Sequence, residues 1–109
     1  MDAKNIYIAI RHAANKAQWI HSGQNEWSYV GEKKDFDQEK AQNEIDSFFS
    51  EAKLYFSVDR HIGHEVEREK AAWNIHKFIE RGGFLASLDF RKVMVFSNIG
   101  TYKCGNIAS

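Results

Sequence analysis

Three segments of the chain place apolar residues at the spacing of an α-helix, and this pattern constrains the fold more than any other feature. The segments cover residues 2–20, 37–53 and 65–81, and each carries an apolar stripe. The pair Gly82-Gly83 predicts the end of the third helix, because glycine readily adopts the left-handed conformation that follows a last helical turn. The chain contains no proline, so no such residue interrupts the three predicted helices.

The first predicted helix carries two apolar stripes, and Asp2 is a suitable N-cap for it. One stripe contains Ile6, Ile10, Ala13, Ala14, Ala17 and Ile20. Ile8 and Trp19 fall on the far side of the helix, about 200–220° away from Ile6. A helix with two apolar stripes is either buried between layers or in contact with a partner. One hypothesis is therefore a structural or regulatory homodimer that associates through Ile8 and Trp19.

Four other segments favour β-strands through alternation or through their content of β-branched and aromatic residues. These are residues 26–30, 54–58, 91–97 and 101–107. Two alternatives remain open, since 54–58 also fits a last helical turn and 101–107 also fits a frayed tail. The predicted fold is α+β, with three helices packed against a small, mainly antiparallel sheet in a single domain that spans residues 1–109.

Composition excludes several classes of protein. A chain of 109 residues is long enough to bury one hydrophobic core without stabilising cross-links such as disulfide bonds. No apolar run approaches the length of a membrane span. The N-terminal residues do not resemble a signal peptide, and a single cysteine suits a reducing cytosol. We therefore expect a cytoplasmic protein that contacts no membrane.

The densest polar cluster is the run from Asp59 to Glu65, which contains His61 and His64. Imidazole and carboxylate groups together suit general acid/base work near neutral pH, and the same donors suit zinc. However, this spacing lacks the paired histidines that make a metalloprotease helix specific. We favour a structural role for the cluster and predict neither a metal nor a cofactor. If the protein is instead a small hydrolase or nuclease, its catalytic residues are Asp59, His61, His64 and Glu65.

Nucleic acid is disfavoured as a partner, because the formal net charge is zero. The basic residues Arg91, Lys92 and Lys103 give only a mildly positive C-terminal region, in which Tyr102 has a ring that can stack on a base. Lys103 is also adjacent to Cys104 and so in a position to lower the pKa of its thiol, although a small apolar role for that cysteine is the simpler interpretation.

Aromatic and acidic residues indicate where a protein partner would bind. Trp73 lies about 160° from the apolar face of the third predicted helix, and Trp27 and Tyr29 belong to a short predicted strand. Such rings are enriched at interface hot spots. Residues 32–53 carry seven acidic residues against four lysines, a net charge of −3. The acidic residues proposed to contact a partner are Asp35, Asp37, Glu39, Glu44, Asp46 and Glu51.

These features favour a small intracellular protein-binding module over an enzyme. The most specific form of the hypothesis is an inhibitor or immunity-type protein that neutralises a toxin or nuclease. Its acidic and aromatic surface would meet a basic surface on the partner, since complementary charge speeds association.

Overall fold

The computed structural model describes residues 1–20 and 27–108. Within these ranges the α-helices are α1 (Ala3–Lys16), α2 (Gln38–Phe48) and α3 (Ala71–Lys77). Short 3-10 turns cover Lys33–Asp35 and Arg68–Lys70. The strands are β1 (Gln18–Trp19), β2 (Ser28–Tyr29), β3 (Lys53–Ser57), β4 (Gly63–Glu67), β5 (Gly83–Ala86), β6 (Lys92–Phe96) and β7 (Thr101–Asn106). None of the helices in the described ranges has the length and apolar character needed to cross a membrane.

All seven strands form one antiparallel sheet, in the order β1-β7-β6-β5-β3-β4. Both β1 and β2 pair with the edge of β7 that faces away from β6. β1 pairs with the C-terminal end of β7, and β2 pairs with its N-terminal end. The α+β class is confirmed. The sheet is larger than the small one predicted from the sequence, because β1, β4 and β5 were not recognised as strands.

Helices cover both faces of the sheet. Successive side chains along β3 point to opposite faces of the sheet. Leu54 and Phe56 therefore pack in the larger hydrophobic cluster under α2 and α3, and Tyr55 packs against the smaller cluster under α1. Ile6 and Ile10 of α1 are fully buried in the smaller cluster. On its face of the sheet α1 packs against β3, β4, β5 and β6, which leaves the end formed by β7, β1 and β2 less covered.

The first helix is shorter than predicted. Asp2 caps it as expected, by accepting a hydrogen bond from the backbone N–H of Asn5 at 2.8 Å. The helix ends at Lys16, and Trp19 lies in β1, where it pairs with Gly105. Ile8 is 49% exposed on α1, but it does not share a helical face with Trp19. The proposed second stripe was therefore wrong, and with it the geometric basis for a dimer through these two residues.

The third predicted helix is the largest error in secondary structure. Residues 63–67 form β4, which pairs with all of β3 from Lys53 to Ser57. Only Val66 in this strand is buried, so the pattern of polar and apolar side chains resembles the surface of a helix. The pairing with β3 determines the extended conformation. The helix begins at Ala71 and ends at Lys77. Gly82 adopts the predicted left-handed conformation (φ 77°) four residues after Phe78, and β5 begins at Gly83.

The second helix begins where predicted but ends at Phe48 rather than Lys53. Phe49 is extended and buried, and Lys53 is the first residue of β3. The strands predicted at 54–58, 91–97 and 101–107 correspond to β3, β6 and β7. In the predicted strand 26–30, Ser28 and Tyr29 form β2, and Glu26 lies outside the described residues.

Candidate protein-binding surface

Asp59 organises the turn that joins β3 to β4. Its carboxylate accepts hydrogen bonds from the backbone N–H groups of His61 (2.7 Å) and Ile62 (2.9 Å), and it forms an ion pair with Arg81. The hydrogen bond from His61 and the contact with Arg81 lower the pKa of Asp59. These contacts engage the carboxylate in holding the turn between β3 and β4.

The other members of this polar cluster do not converge on one point. His64 lies opposite Phe56 and Glu65 lies opposite Tyr55 in the β3–β4 pair, so the two side chains leave the strand on opposite faces. The Nδ1 of His64 is 2.8 Å from the carbonyl oxygen of Glu65. Among the described residues, no three potential metal ligands come together. The arrangement that the acid/base alternative requires is not assembled in this structure.

The acidic residues of α2 and its flanks are distributed around the helix. Asp37 caps α2 by accepting from the N–H of Lys40 at 3.0 Å, and Asp46 pairs with Arg68 at 3.1 Å. Glu51 accepts a hydrogen bond from the N–H of Ser50 at 3.0 Å. Three of the proposed contact residues therefore already have partners within the chain.

The remaining acidic residues differ in their exposure. Asp35 lies in the 3-10 turn before α2 and Glu39 lies in the first turn of α2, and both are exposed. Glu44 is half-buried on the side of α2 that faces β7, next to Tyr102. The exposed acidic surface is thus smaller than the sequence suggested and is concentrated before and at the start of α2.

A set of aromatic side chains occupies the less covered end of the sheet. The register places Tyr29 opposite Thr101 and Trp19 opposite Gly105, so both rings share a face with Lys103. Continuing that register places Trp27 beside Lys103 on the same face. This is the face that α1 covers elsewhere. We call Trp19, Trp27, Tyr29 and Lys103 the aromatic ledge.

Lys103 is the centre of the aromatic ledge. Its Nζ lies 4.0 Å from the ring centroid of Trp19 and 4.5 Å from that of Trp27. Both distances are within the range of a cation–π interaction. One lysine on β7 thereby links a ring from β1 to a ring that directly precedes β2.

Close packing against β7 fixes the position of Trp19. A Cβ on Gly105 would lie 2.8 Å from the Trp19 ring and 2.9 Å from the Cβ of Ala17. Only glycine therefore lets the indole lie this close to the strand. Between the ledge and α1 lies an open groove of about 450 Å³, which is also lined by Arg11 and Asn15.

The outer part of the aromatic ledge is open to solvent, with Trp27 38% exposed and Tyr29 57% exposed. Trp73 is also exposed, at 53%, but it lies on α3, against the opposite face of the sheet. The aromatic residues that the sequence suggested for partner binding therefore belong to two separate surfaces.

Two of the less favoured alternatives for residues of β7 do not fit the structure. Burial, reinforced by the negative charge of Glu44, raises the pKa of Cys104 to about 12, so Lys103 does not activate this thiol. Tyr102 is buried and stacks on Phe96 with ring centroids 5.7 Å apart, so its ring does not present a face to a base.

Sequence reasoning did not identify Lys103, Trp19 and Trp27 as one cluster. The alternation of residues 101–107 was the only signal that could place Lys103 on a defined face, and it does not reveal the strands beside β7. Comparisons with protein-family models, with curated proteins and with solved structures find no match to this chain.

Proposed function

We propose that this protein is a small protein-binding module and that the aromatic ledge is its contact surface. The observation that carries the proposal is the exposure of Trp27 and Tyr29 beside a lysine that holds the neighbouring rings in place. Large aromatic side chains bury much area on binding and lose little conformational entropy, and rings ordered before binding lose even less. The exposed rings of Trp27 and Tyr29, of which Trp27 is ordered by Lys103 before binding, are therefore a suitable centre for an interface.

The start of α2 supports a partner with a basic surface. The Nζ of Lys40 donates to the carbonyl oxygen of Tyr29 at 2.8 Å, and the N–H of Asp37 donates to the carbonyl oxygen of Val30 at 2.7 Å. These bonds hold the start of α2 against Tyr29, the last residue of β2, and against Val30, which follows it. The exposed carboxylates of Asp35 and Glu39 thus lie in segments attached to the ledge, where basic groups of a partner would meet them.

The more specific proposal is an inhibitor or immunity-type protein of the cytoplasm, with a toxin or nuclease as its target. A compact domain that presents aromatic anchors next to carboxylates suits a target whose own surface is basic, as the surface of a nuclease is. The single cysteine, protonated and partly buried, suits a reducing compartment.

The test is capture of proteins from nuclease-treated native lysate by three immobilised proteins. These are the natural chain, the double variant Trp27→Ala/Tyr29→Ala, and the matched control Trp73→Ala. We expect a partner that the natural chain and the control retain and the double variant loses. The affinity for that partner should fall about thirty-fold or more, as for a hot spot of about 2 kcal/mol.

Two results would contradict the proposal. One is a partner that the double variant retains as well as the natural chain does, because the ledge would then not be the contact surface. The other is the capture only of a second copy of this chain, with self-association in sedimentation that the double variant abolishes. Nuclease treatment removes proteins held indirectly through nucleic acid.

A further inference from the structure

A second surface brings cationic side chains together on the α2/α3 side of the molecule. A concavity of about 400 Å³ lies between the 3-10 turn at Lys33–Asp35 and residues 76–81. Its cationic lining residues are Lys33, Lys34, Lys77 and Arg81, and Glu80 is its acidic one. Arg81 is paired with Asp59, so the three lysines supply most of the positive charge that a ligand would meet, and the exposed Asp35 lies in the same turn but outside the lining of the concavity.

Packing fixes the lysine turn against α3. Phe36 directly follows the turn and is buried, with its ring centroid 4.9 Å from that of His76. The Nδ1 of His76 lies 2.9 Å from the Oε1 of Gln38, in the first turn of α2. Lys33 itself has a left-handed backbone (φ 52°). The lysines are therefore carried by a turn whose C-terminal side is anchored to α3.

An exposed tryptophan adjoins this concavity. Trp73 is 53% exposed and lines a neighbouring depression of about 300 Å³ together with Gln38, His76 and Lys77. The two depressions share His76 and Lys77. The Nζ of Lys77 lies 5.1 Å from the centroid of the Trp73 ring, so the aromatic surface and the cations form one continuous region.

We propose that this region, lined by Lys33, Lys34, Lys77 and Trp73, binds single-stranded nucleic acid. The lysines would contact backbone phosphates, and the Trp73 ring would stack on one unpaired base. Proteins that bind single strands without sequence preference combine positive charge along the backbone with aromatic rings on which bases stack. A base inside a duplex does not offer its face, so single strands should bind better than duplexes. The zero net charge of the chain does not oppose this, since a local basic surface acts on its own neighbourhood.

The proposal is tested by fluorescence anisotropy with a labelled oligothymidylate of about 12 nucleotides, a length within the usual range for one such site. The full chain is titrated at several salt concentrations. Three phosphate contacts predict a slope of about −2 for the logarithm of affinity against the logarithm of salt concentration. The double variant Lys33→Ala/Lys34→Ala should reduce the magnitude of this slope by about 1.4.

Two tryptophan variants separate base stacking from general charge. Trp73→Ala should weaken binding about five-fold or more, and Trp73→Phe should restore most of the loss. Trp27→Ala is the matched control, and it should leave oligonucleotide binding unchanged because it lies in the aromatic ledge. Trp73 is exposed on its helix, so both Trp73 variants should keep the circular dichroism and the thermal midpoint of the natural chain.

Several outcomes would overturn the proposal. These are no binding at low salt, binding that Trp73→Ala does not weaken, and a duplex of equal length that binds as tightly as the single strand. Equal binding of a phosphoserine peptide with the same dependence on Trp73 would also overturn it. Lys33, Lys34 and Trp73 lie outside the aromatic ledge, so oligonucleotide binding by their variants is measured separately from partner capture through Trp27 and Tyr29. Asp35 shares the 3-10 turn with Lys33 and Lys34.

Discussion

Replacing Lys103 by methionine should destabilise the protein by about 1–2 kcal/mol. The substitution keeps most of the length and the apolar stem of the side chain but removes the ammonium group. That group lies 4.0 and 4.5 Å from the ring centroids of Trp19 and Trp27. Cation–π contacts at partly exposed sites contribute about 0.5–1 kcal/mol each, and two such contacts give the expected range. Their loss should loosen β1 and β2 from the edge of β7.

The assay is urea denaturation at neutral pH, followed by circular dichroism. Lys4→Met is the matched control, since Lys4 is exposed on α1 and the substitution changes the same atoms. Lys103→Arg should keep most of the stability, because a guanidinium also binds the faces of indole rings. The reasoning is refuted if Lys103→Met is as stable as the natural chain, or if Lys4→Met costs as much.

Three further substitutions test other parts of the structure. Ser57 is fully buried and its Oγ has no hydrogen-bond partner among the described residues; Ser57→Ala should therefore raise the free energy of unfolding by about 1 kcal/mol or leave it unchanged, and a clear loss in thermal denaturation would contradict this. Gly105→Ala should cost about 1–3 kcal/mol, because the new Cβ would lie 2.8 Å from Trp19; a variant with unchanged stability and tryptophan fluorescence would show that the ring moves freely. The pKa of Asp59 is lowered from its ordinary value of 3.8 by the N–H of His61 and by Arg81, so the ionised group stabilises the fold above that value, and the contribution is lost as pH falls through the folded-state pKa. Asp59→Asn should lower stability at neutral pH and flatten its fall between about pH 5 and pH 2, and an unchanged pH profile would contradict the assignment.

Local pattern was enough to predict the elements whose own residues decide their conformation. β6 carries β-branched and aromatic residues, and it was predicted within one residue of its observed ends. For residues 101–107 the strand alternative corresponds to β7. The capping aspartate at the start of α1 was also predicted, because a cap depends on only a few neighbouring residues. The position of Trp73 away from the core followed from helical spacing, and the ring is exposed.

The errors in the predicted secondary structure lie where contacts between residues distant in the sequence determine the conformation. Residues 63–67 are extended because they pair with β3, and nothing in their own spacing shows that pairing. β5 is a short apolar segment immediately after Gly82, and the glycine pair was interpreted only as a helix stop. Alternation in short, fully buried strands is weak, so such segments are hard to separate from loops.

Only part of the candidate site could be predicted. Trp27 and Tyr29 were identified as partner-binding residues from their type and from a short alternating segment. Their association with Trp19 and Lys103 depends on the pairing of β1 and β2 with β7, which no local pattern reveals. The acidic residues were predicted as one surface, but Asp37, Asp46 and Glu51 have partners within the chain.

The central claim is that a protein partner binds at the aromatic ledge, and hydrogen exchange with the captured partner tests it most directly. The natural chain is compared by mass spectrometry with and without that partner. We predict that protection increases in peptides covering residues 27–31 and 101–105, which contain Trp27, Tyr29 and Lys103. Protection confined to peptides from α3 or β4, with none in these two segments, would contradict the claim.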